Sequence, residues 1–385
     1  MLSYQVESFG RPLQQVLRDT PQPKGSEVLM KVGSCGVCHS DVHLQDGYFA
    51  LGGDARLDLT RSVQPPRTLG HEIAGTVVAV GPDAHDVAIG DRCVVFPWIG
   101  CGRCAVCAAG DEHLCNAPCA LGVNRDGGFA DHLLVPHPKY LLGFGMLAEE
   151  QACTYACSGL TAYSALKKVG LLGAGDPLVV IGAGGVGLSG IRLAKQVCGV
   201  APIVVEIDRG KWDIAREAGA CDVIDPSADG ASKAFMKATG GAAAVVDFVG
   251  AGISFTFGFG LLRKGGRLVS VGLLGGSTSI AGAARPEVGE RDRLVRRLAG
   301  RDARADGDRR ERLAARDARD PEAARAGGAG TRRVARRPGA RAHRPEGRQH
   351  RLNARRSSAP RAAYAAATYS IAPVSPSRIM SYGNQ

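Results

Sequence analysis

Short β-branched runs separated by Gly, Pro and Asp turns dominate residues 25–140: Glu27 to Val32, Ile73 to Val80, Asp91 to Phe96 and Ala130 to Val135. That rhythm predicts an irregular β-rich domain. Asp54 to Arg67, polar and ending in Pro65-Pro66, reads as an exposed loop ahead of the second run. Cys157 to Tyr163 then opens a helical pattern through Leu160, Ser164, Leu166 and Lys167. After Asp176-Pro177 the pattern changes to a continuous apolar run, Leu178-Val179-Val180-Ile181, as a buried parallel strand shows. A glycine-rich turn follows it, and then a helical pattern through Leu188, Ile191, Leu193 and Ala194. Further strands are predicted at Ile203 to Val205, Cys221 to Ile224, Ala244 to Val249 and Gly266 to Gly272. Together they make five strands of a doubly wound α/β sheet, whose sixth is missing.

Composition explains why the pattern stops. From Arg285 to Gln385 there are 25 Arg, no Lys and 11 acidic residues, a formal charge of +14 against −3 for residues 1–284. Only ten residues of that stretch are Leu, Ile, Val or Phe, too few to bury a core, so the composition predicts a disordered basic tail. A basic chain of this kind prompts a nucleic-acid hypothesis. The alternative favoured here is an out-of-frame reading of a GC-rich gene, in which another frame encodes an apolar sixth strand and a closing amphipathic segment. The organisation expected is therefore a domain over 1–155, a second over 156–283 and the tail over 284–385, within a chain of 385 residues. The N-terminus has no basic start followed by an apolar run, and the longest apolar stretch, Leu178 to Ile191, is short and glycine-rich. A soluble, cytoplasmic protein with no membrane partner is expected.

The chemistry is densest at Gly36-Val37-Cys38-His39-Ser40-Asp41-Val42-His43, where a thiol, a hydroxyl, a carboxylate and two imidazoles share eight residues. Thiolates and neutral imidazoles suit zinc, and a carboxylate can orient a ligating histidine. Partners are offered by His71, in Leu69-Gly70-His71-Glu72, and by Cys157, with Cys153 as a rival to Cys157. Two cysteines and one histidine would leave the fourth position of a tetrahedral zinc open, as a catalytic site needs. Cys101-x2-Cys104-x2-Cys107-x7-Cys115, in a glycine-rich loop spanning about 98–118, can instead close a structural zinc with four thiolates. Gly182-Ala183-Gly184-Gly185-Val186-Gly187 has a strand before it and a helix after it, the context in which glycines let the backbone approach a pyrophosphate at a helix N-terminus. Glu206, about twenty positions on, would hydrogen-bond ribose hydroxyls and repel a 2′-phosphate, favouring NAD over NADP.

The Cys38, Gly-His-Glu and Cys157 segments, in this order, resemble those of the zinc-dependent alcohol dehydrogenases of the medium-chain dehydrogenase/reductase superfamily, and the four-cysteine loop resembles that family's zinc lobe. The match runs to about residue 283. It implies a GroES-like catalytic domain, a Rossmann cofactor domain, two zinc ions per subunit and NAD-linked oxidation of a primary or secondary alcohol to an aldehyde or ketone. It implies that Ser40 accepts the released proton, passed through the cofactor ribose to His43. Read on the residues alone, Ser40 could as well be a local backbone cap and His43 a surface residue. By the same resemblance Glu72 lies behind the zinc and His39 near the cofactor pyrophosphate. Thr161 and Val186 would flank the nicotinamide, with Lys211 beside the adenosine ribose, and Asp41 would steady His71. A homo-oligomer is also implied, although the family's dimer-forming last strand is not recognisable here. Two alternatives remain: a polyol or amino-alcohol dehydrogenase of the same fold, and a non-catalytic, zinc-stabilised nucleotide-binding protein with a nucleic-acid-binding tail.

Overall fold

A computed structural model describes residues 1–52, 55–279 and 292–293. In chain order, strands β1 (Leu2–Val6), β2 (Gln14–Leu17) and β3 (Val28–Gly36) precede helix α1 (His39–Asp46). Strands β4 (Tyr48–Gly52), β5 (Ala55–Asp58), β6 (Arg67–Thr68), β7 (Glu72–Val80) and β8 (Arg92–Val95) follow, then α2 (Ala105–Ala108), β9 (His132–Val135) and β10 (Leu141–Gly143). The central sheet is antiparallel in the order β10-β8-β7-β3-β9, and β2-β1-β6 form a smaller one. Met30, Ile73, Val77, Val95 and Leu133 fill its core. Strands β3 and β7 run so close that a Cβ on Gly75 would lie 2.2 Å from the Lys31 carbonyl oxygen. Their register slips at Leu29/Met30 and at Val32/Ser34, and ends with Gly36 opposite Glu72. The exit of β3 and the entrance of β7 are thereby neighbours, so Cys38 and His71 start from the same end of one strand pair.

Helices α3 (Glu149–Thr154) and α4 (Leu160–Val169), joined by a π-helical turn at Tyr155–Gly159, lead into the second half. There β11 (Leu178–Ile181), α5 (Gly185–Cys198), β12 (Ile203–Val205), α6 (Trp212–Glu217) and β13 (Asp222–Ile224) are followed by α7 (Ala231–Thr239), β14 (Ala242–Asp247), α8 (Gly252–Gly260) and β15 (Leu262–Ser270). The sheet is parallel, and its order reverses around β11, with β12 on one side and β14 on the other. That reversal opens a crevice beyond the strand ends, the place where such sheets bind ligands. Apolar clusters cover both faces, with Leu178, Val246 and Val269 on one and Ile181, Val245 and Leu268 on the other.

Three expectations change. The sixth sheet position is filled, by β16 (Asp292–Arg293) pairing parallel with Val269 and Ser270. It is a charged pair from the Arg-rich stretch rather than the missing apolar strand. The rest of the tail, with its expected disorder and the frame hypothesis, lies outside the described residues. Asp54 to Arg67 is not simply an exposed loop: β5 closes a hairpin with β4, and Leu59 and Val63 beyond it are buried. Strands β1, β2 and β10 were not anticipated: β1 and β2 mix polar with apolar residues, and β10 is only Leu141-Leu142-Gly143.

Ile73 has no solvent exposure, sits between β3 and β8 and follows the His71-Glu72 pair directly. Ile73→Ala is expected to cost about 2–5 kcal/mol of stability, read as a lower urea midpoint with an unchanged denaturant slope.

Candidate active site

Cys38 caps the N-terminus of α1 in an extended conformation. Asp41, three residues on and 3% exposed, accepts the Cys38 N–H on Oδ2 at 2.9 Å. Its other oxygen, Oδ1, accepts from His71 Nδ1 at 2.9 Å and from the Gly70 N–H at 3.3 Å. Gly70 has φ +91°, and a Cβ there would lie 2.5 Å from the Phe129 ring, so this position requires glycine. With Nδ1 engaged as a donor, a neutral His71 carries its lone pair on Nε2, which is buried and has no hydrogen-bond partner among the described residues. Cys157 enters from the π-helical turn, and the ligand atoms of Cys38, His71 and Cys157 lie within 4.8 Å of one another. The Cys157 thiol, more than any other group, holds Cys38 well below the usual thiol range, against burial and with help from His71. Two sulfurs and an orphaned imidazole nitrogen fit zinc, with a fourth position to spare.

Cys153, the rival in the sequence, lies in an apolar cluster rather than in the Cys38–His71–Cys157 group. Cys153 donates to the Glu150 carbonyl at 3.2 Å, packs with Ala74, Val94 and Phe144, and has its thiol pushed up to about 12 by burial. Cys35 is likewise a buried packing residue, its thiol raised by burial and by Asp41. Glu72, 4% exposed, accepts the Ser158 N–H at 3.0 Å. Burial, then the charge on Cys38, raise its pKa to about 7.

Helix α1 carries the three remaining groups. Ser40 and His43 are half-buried and one turn apart on neighbouring positions of the helix surface, and His39 is exposed. The His43 ring lies between His39 and Phe49, at 4.7 and 4.6 Å between centroids. Burial and the neighbouring His39 lower its pKa.

In the second half, the glycine turn closes on itself. Gly182 has φ +92°, and a Cβ on Gly187 would lie 1.9 Å from the Gly182 carbonyl oxygen. Gly184 caps α5, and a Cβ there would meet nothing within 4 Å, leaving space over the helix N-terminus for a phosphate. Val186 is half-buried in the first turn of α5, and Thr161, in the first turn of α4, is buried with no partner for Oγ1 among the described residues. Glu206 is buried at the end of β12, accepting the Ala183 N–H at 2.7 Å and the Asp208 N–H at 2.9 Å. Each carboxylate oxygen keeps further acceptor capacity for a ribose. Lys211 is half-buried and lies 3.5 Å from Asp208.

Two residues escaped the sequence reading. Asp247, at the end of β14 with no exposure, accepts from the N–H groups of Val249 and Gly250 and from Ser254 Oγ at 2.8 Å. It fixes the loop whose Val249 side chain faces Gly182. Its signal was an acidic residue ending an apolar run. Trp98 faces His71 at 5.3 Å between ring centroids; being one of two tryptophans, three residues before Cys101, was its only signal.

The four-cysteine loop converges as its spacing predicts. Sγ separations are 3.5 Å for Cys104–Cys107, 3.8 Å for Cys104–Cys115 and 3.9 Å for Cys101–Cys107. A tetrahedral zinc with Zn–S of about 2.3 Å sets its sulfurs about 3.8 Å apart, so the four fit it. Glu112 braces the loop, accepting from the Gly100 N–H at 3.1 Å, Tyr140 OH at 2.6 Å and Lys139 Nζ at 2.6 Å.

Residues 24–143 match the family model for the alcohol dehydrogenase GroES-like domain, and residues 185–297 that for zinc-binding dehydrogenase. An NAD-dependent alcohol dehydrogenase of Sulfurisphaera tokodaii is 40% identical over 281 residues, 71% of this chain and 79% of the relative. The chain belongs to the zinc-dependent alcohol dehydrogenases of the medium-chain superfamily. A second such relative, from Saccharolobus solfataricus, is 38% identical with the same coverage, 71% of this chain and 79% of the relative. The crystal structure of an alcohol dehydrogenase from Aeropyrum pernix aligns with a TM-score of 0.66 at 27% identity, covering 82% of this chain and 90% of that one. The zinc and NAD expected of this dehydrogenase accord with its family and its donor sets. Among the described residues no helix is long and apolar enough to cross a membrane.

Gly187→Ala should force the glycine turn open and weaken NAD affinity at least about tenfold, measured by fluorescence titration, with the zinc content of the protein unchanged. Burial alone would raise the Glu112 pKa, but Lys139, Tyr140 and the Gly100 N–H outweigh it and hold the carboxyl below its usual range. A depressed folded pKa contributes stability above the ordinary carboxylate range and loses it as pH falls through the folded value. The melting-temperature gap between the wild type and Glu112→Gln should accordingly narrow as pH is lowered from 6 into that range.

Proposed function

We propose that this dehydrogenase oxidises a primary or secondary alcohol to the aldehyde or ketone with NAD as acceptor, at a centre formed by Cys38, His71 and Cys157. The observation that carries the reading is their convergence around a buried imidazole nitrogen that lacks a hydrogen-bond partner among the described residues. Zinc bound there supplies positive charge that makes a hydroxyl more acidic, and NAD supplies the hydride acceptor.

The chain's own groups do the rest. Asp41 fixes the His71 tautomer, so that Nε2 points its lone pair at the centre. Ser40, two residues after Cys38, takes the proton of the hydroxyl. His43, one turn further along α1, is kept neutral by its lowered pKa and delivers the proton towards solvent. Glu72 holds the Cys157 turn through Ser158 and, with a pKa near neutrality, can carry a proton or a charge behind the centre. Gly182, Gly184, Gly187 and Val186 receive the pyrophosphate end and the nicotinamide side of the cofactor, with His39 and Thr161 at its margins. Glu206 takes the ribose hydroxyls and disfavours a 2′-phosphate, with Lys211 beside the same sugar.

NADH formation at 340 nm with primary, secondary, polyol and amino-alcohol substrates tests the reading and separates it from the polyol and amino-alcohol alternatives. Ser40→Ala should lower kcat about 100-fold or more at unchanged zinc content, and Asp41→Asn should cost about 10- to 100-fold in zinc affinity or activity. Zinc-replete, folded protein that reduces NAD with no alcohol in the panel would defeat the proposal.

A further inference from the structure

The peptides on either side of Cys157 are both held from outside their own helix. The Ser158 N–H donates to Glu72 Oε1 at 3.0 Å, and the Ala156 carbonyl accepts from Trp98 Nε1 at 3.1 Å. The second bond is made at the π-helical turn. In an α-helix the Leu160 N–H would reach back to Ala156, but here it bonds the carbonyls of Tyr155 and Cys157. Ala156 is buried, and its carbonyl accepts the indole N–H in addition to whatever the helix offers it. The same indole faces a second ligand, since the Trp98 and His71 rings lie 5.3 Å apart at 58°.

Trp98 is itself held by the neck of the four-cysteine loop. The Leu121 N–H donates to the Pro97 carbonyl at 3.0 Å and the Cys119 N–H to the Ile99 carbonyl at 2.8 Å, closing the loop on both sides of Trp98. Cys101, Cys104, Cys107 and Cys115 all lie inside the loop so closed. Glu112 adds a further tie at Gly100, between Ile99 and Cys101.

We infer that Trp98 is a positioning residue through which the order of the four-cysteine lobe sets the Cys157 turn and the His71 ring. The inference rests on the reading of Cys38, His71 and Cys157 as metal ligands. Trp98 coordinates nothing. It makes the geometry of the two-cysteine, one-histidine centre depend on whether the lobe is intact, which gives a loop remote in sequence a part in the chemistry.

The test uses the full chain reconstituted with Co²⁺, whose visible absorption reports the geometry of thiolate ligation. W98F keeps an aromatic ring and loses the N–H. It is expected to shift the bands of the Cys38–His71–Cys157 centre and to speed chelator-driven release from it roughly 3- to 10-fold, while the lobe keeps its bands and its release rate. C104A, which opens the lobe, should speed release from the same centre, and W98F added to it should have less effect than W98F alone. A readout that leaves Trp98 in place comes from W212F, where Trp98 is the one remaining tryptophan. Its emission should change when C104A is added. Wild-type bands and release in W98F overturn the inference, as does a change confined to KM for the alcohol, which would make Trp98 a pocket wall only. Loss of cobalt from the lobe in W98F, or unchanged emission in W212F with C104A, also overturns it. A wild-type protein that shows no cobalt bands from the two-cysteine, one-histidine centre defeats the ligand assignment and this inference with it.

Discussion

The Asp41 carboxylate joins segments that the chain keeps thirty residues apart. One oxygen takes the Cys38 N–H and the other takes His71 Nδ1 and the Gly70 N–H. A carboxylate with almost no solvent exposure is costly unless its acceptors are filled, and here the groups that fill them belong to two candidate ligands and the residue before one of them. The cost of burying Asp41 is thus offset only when Cys38 and His71 are in place. The same bonds decide the histidine tautomer, so one contact sets both the positions and the chemical form of the donors. Gly70 and the slipped register of β3 against β7 are the backbone conditions for it, because they bring the two segments to the same end of the sheet.

Cys157 arrives by a different route, from a helix broken by a π turn, and needs separate anchoring. Glu72 holds the peptide after it and Trp98 the peptide before it. Glu72 follows His71 directly, and Trp98 faces the His71 ring, so Cys157 is located relative to His71 rather than to the sheet. In the cofactor half the same logic appears without a metal. Glu206 and Asp247, both buried at strand ends, each accept from loop N–H groups and so shape the crevice on either side of β11.

What the sequence disclosed follows from how local each signal is. The lobe cysteines sit within fifteen residues, and the glycine turn needs only its strand and its helix, so spacing alone located both. Cys38 and His71 were legible as ligand types, but their meeting depends on two register slips between β3 and β7 that no periodicity announces. Choosing Cys157 over Cys153 depended on which face of an irregular helix turns inward, and the π turn that decides it leaves no compositional mark. Trp98 and Asp247 were missed because their roles are made by long-range contacts. Strand β5 was read as loop because each of its residues is exposed, so no alternation of apolar and polar positions marks it.

The Arg-rich stretch bears on the site less than its charge suggests. Every candidate ligand and cofactor residue lies between Cys38 and Lys211, upstream of the composition change at Ala284. The one described contact from that stretch, Asp292–Arg293, joins the sheet beside β15, with β14 and β15 standing between it and β11. The crevice is set by β11, β12 and β14, whose buried apolar runs and short loops are complete without it. The family match to residue 297 nevertheless runs past the shift in composition, so the sheet's outer edge is where family pattern and Arg-rich sequence overlap. At that edge Asp292 and Arg293 contribute two residues of parallel pairing. The donors themselves lie on elements that make no pairing with them.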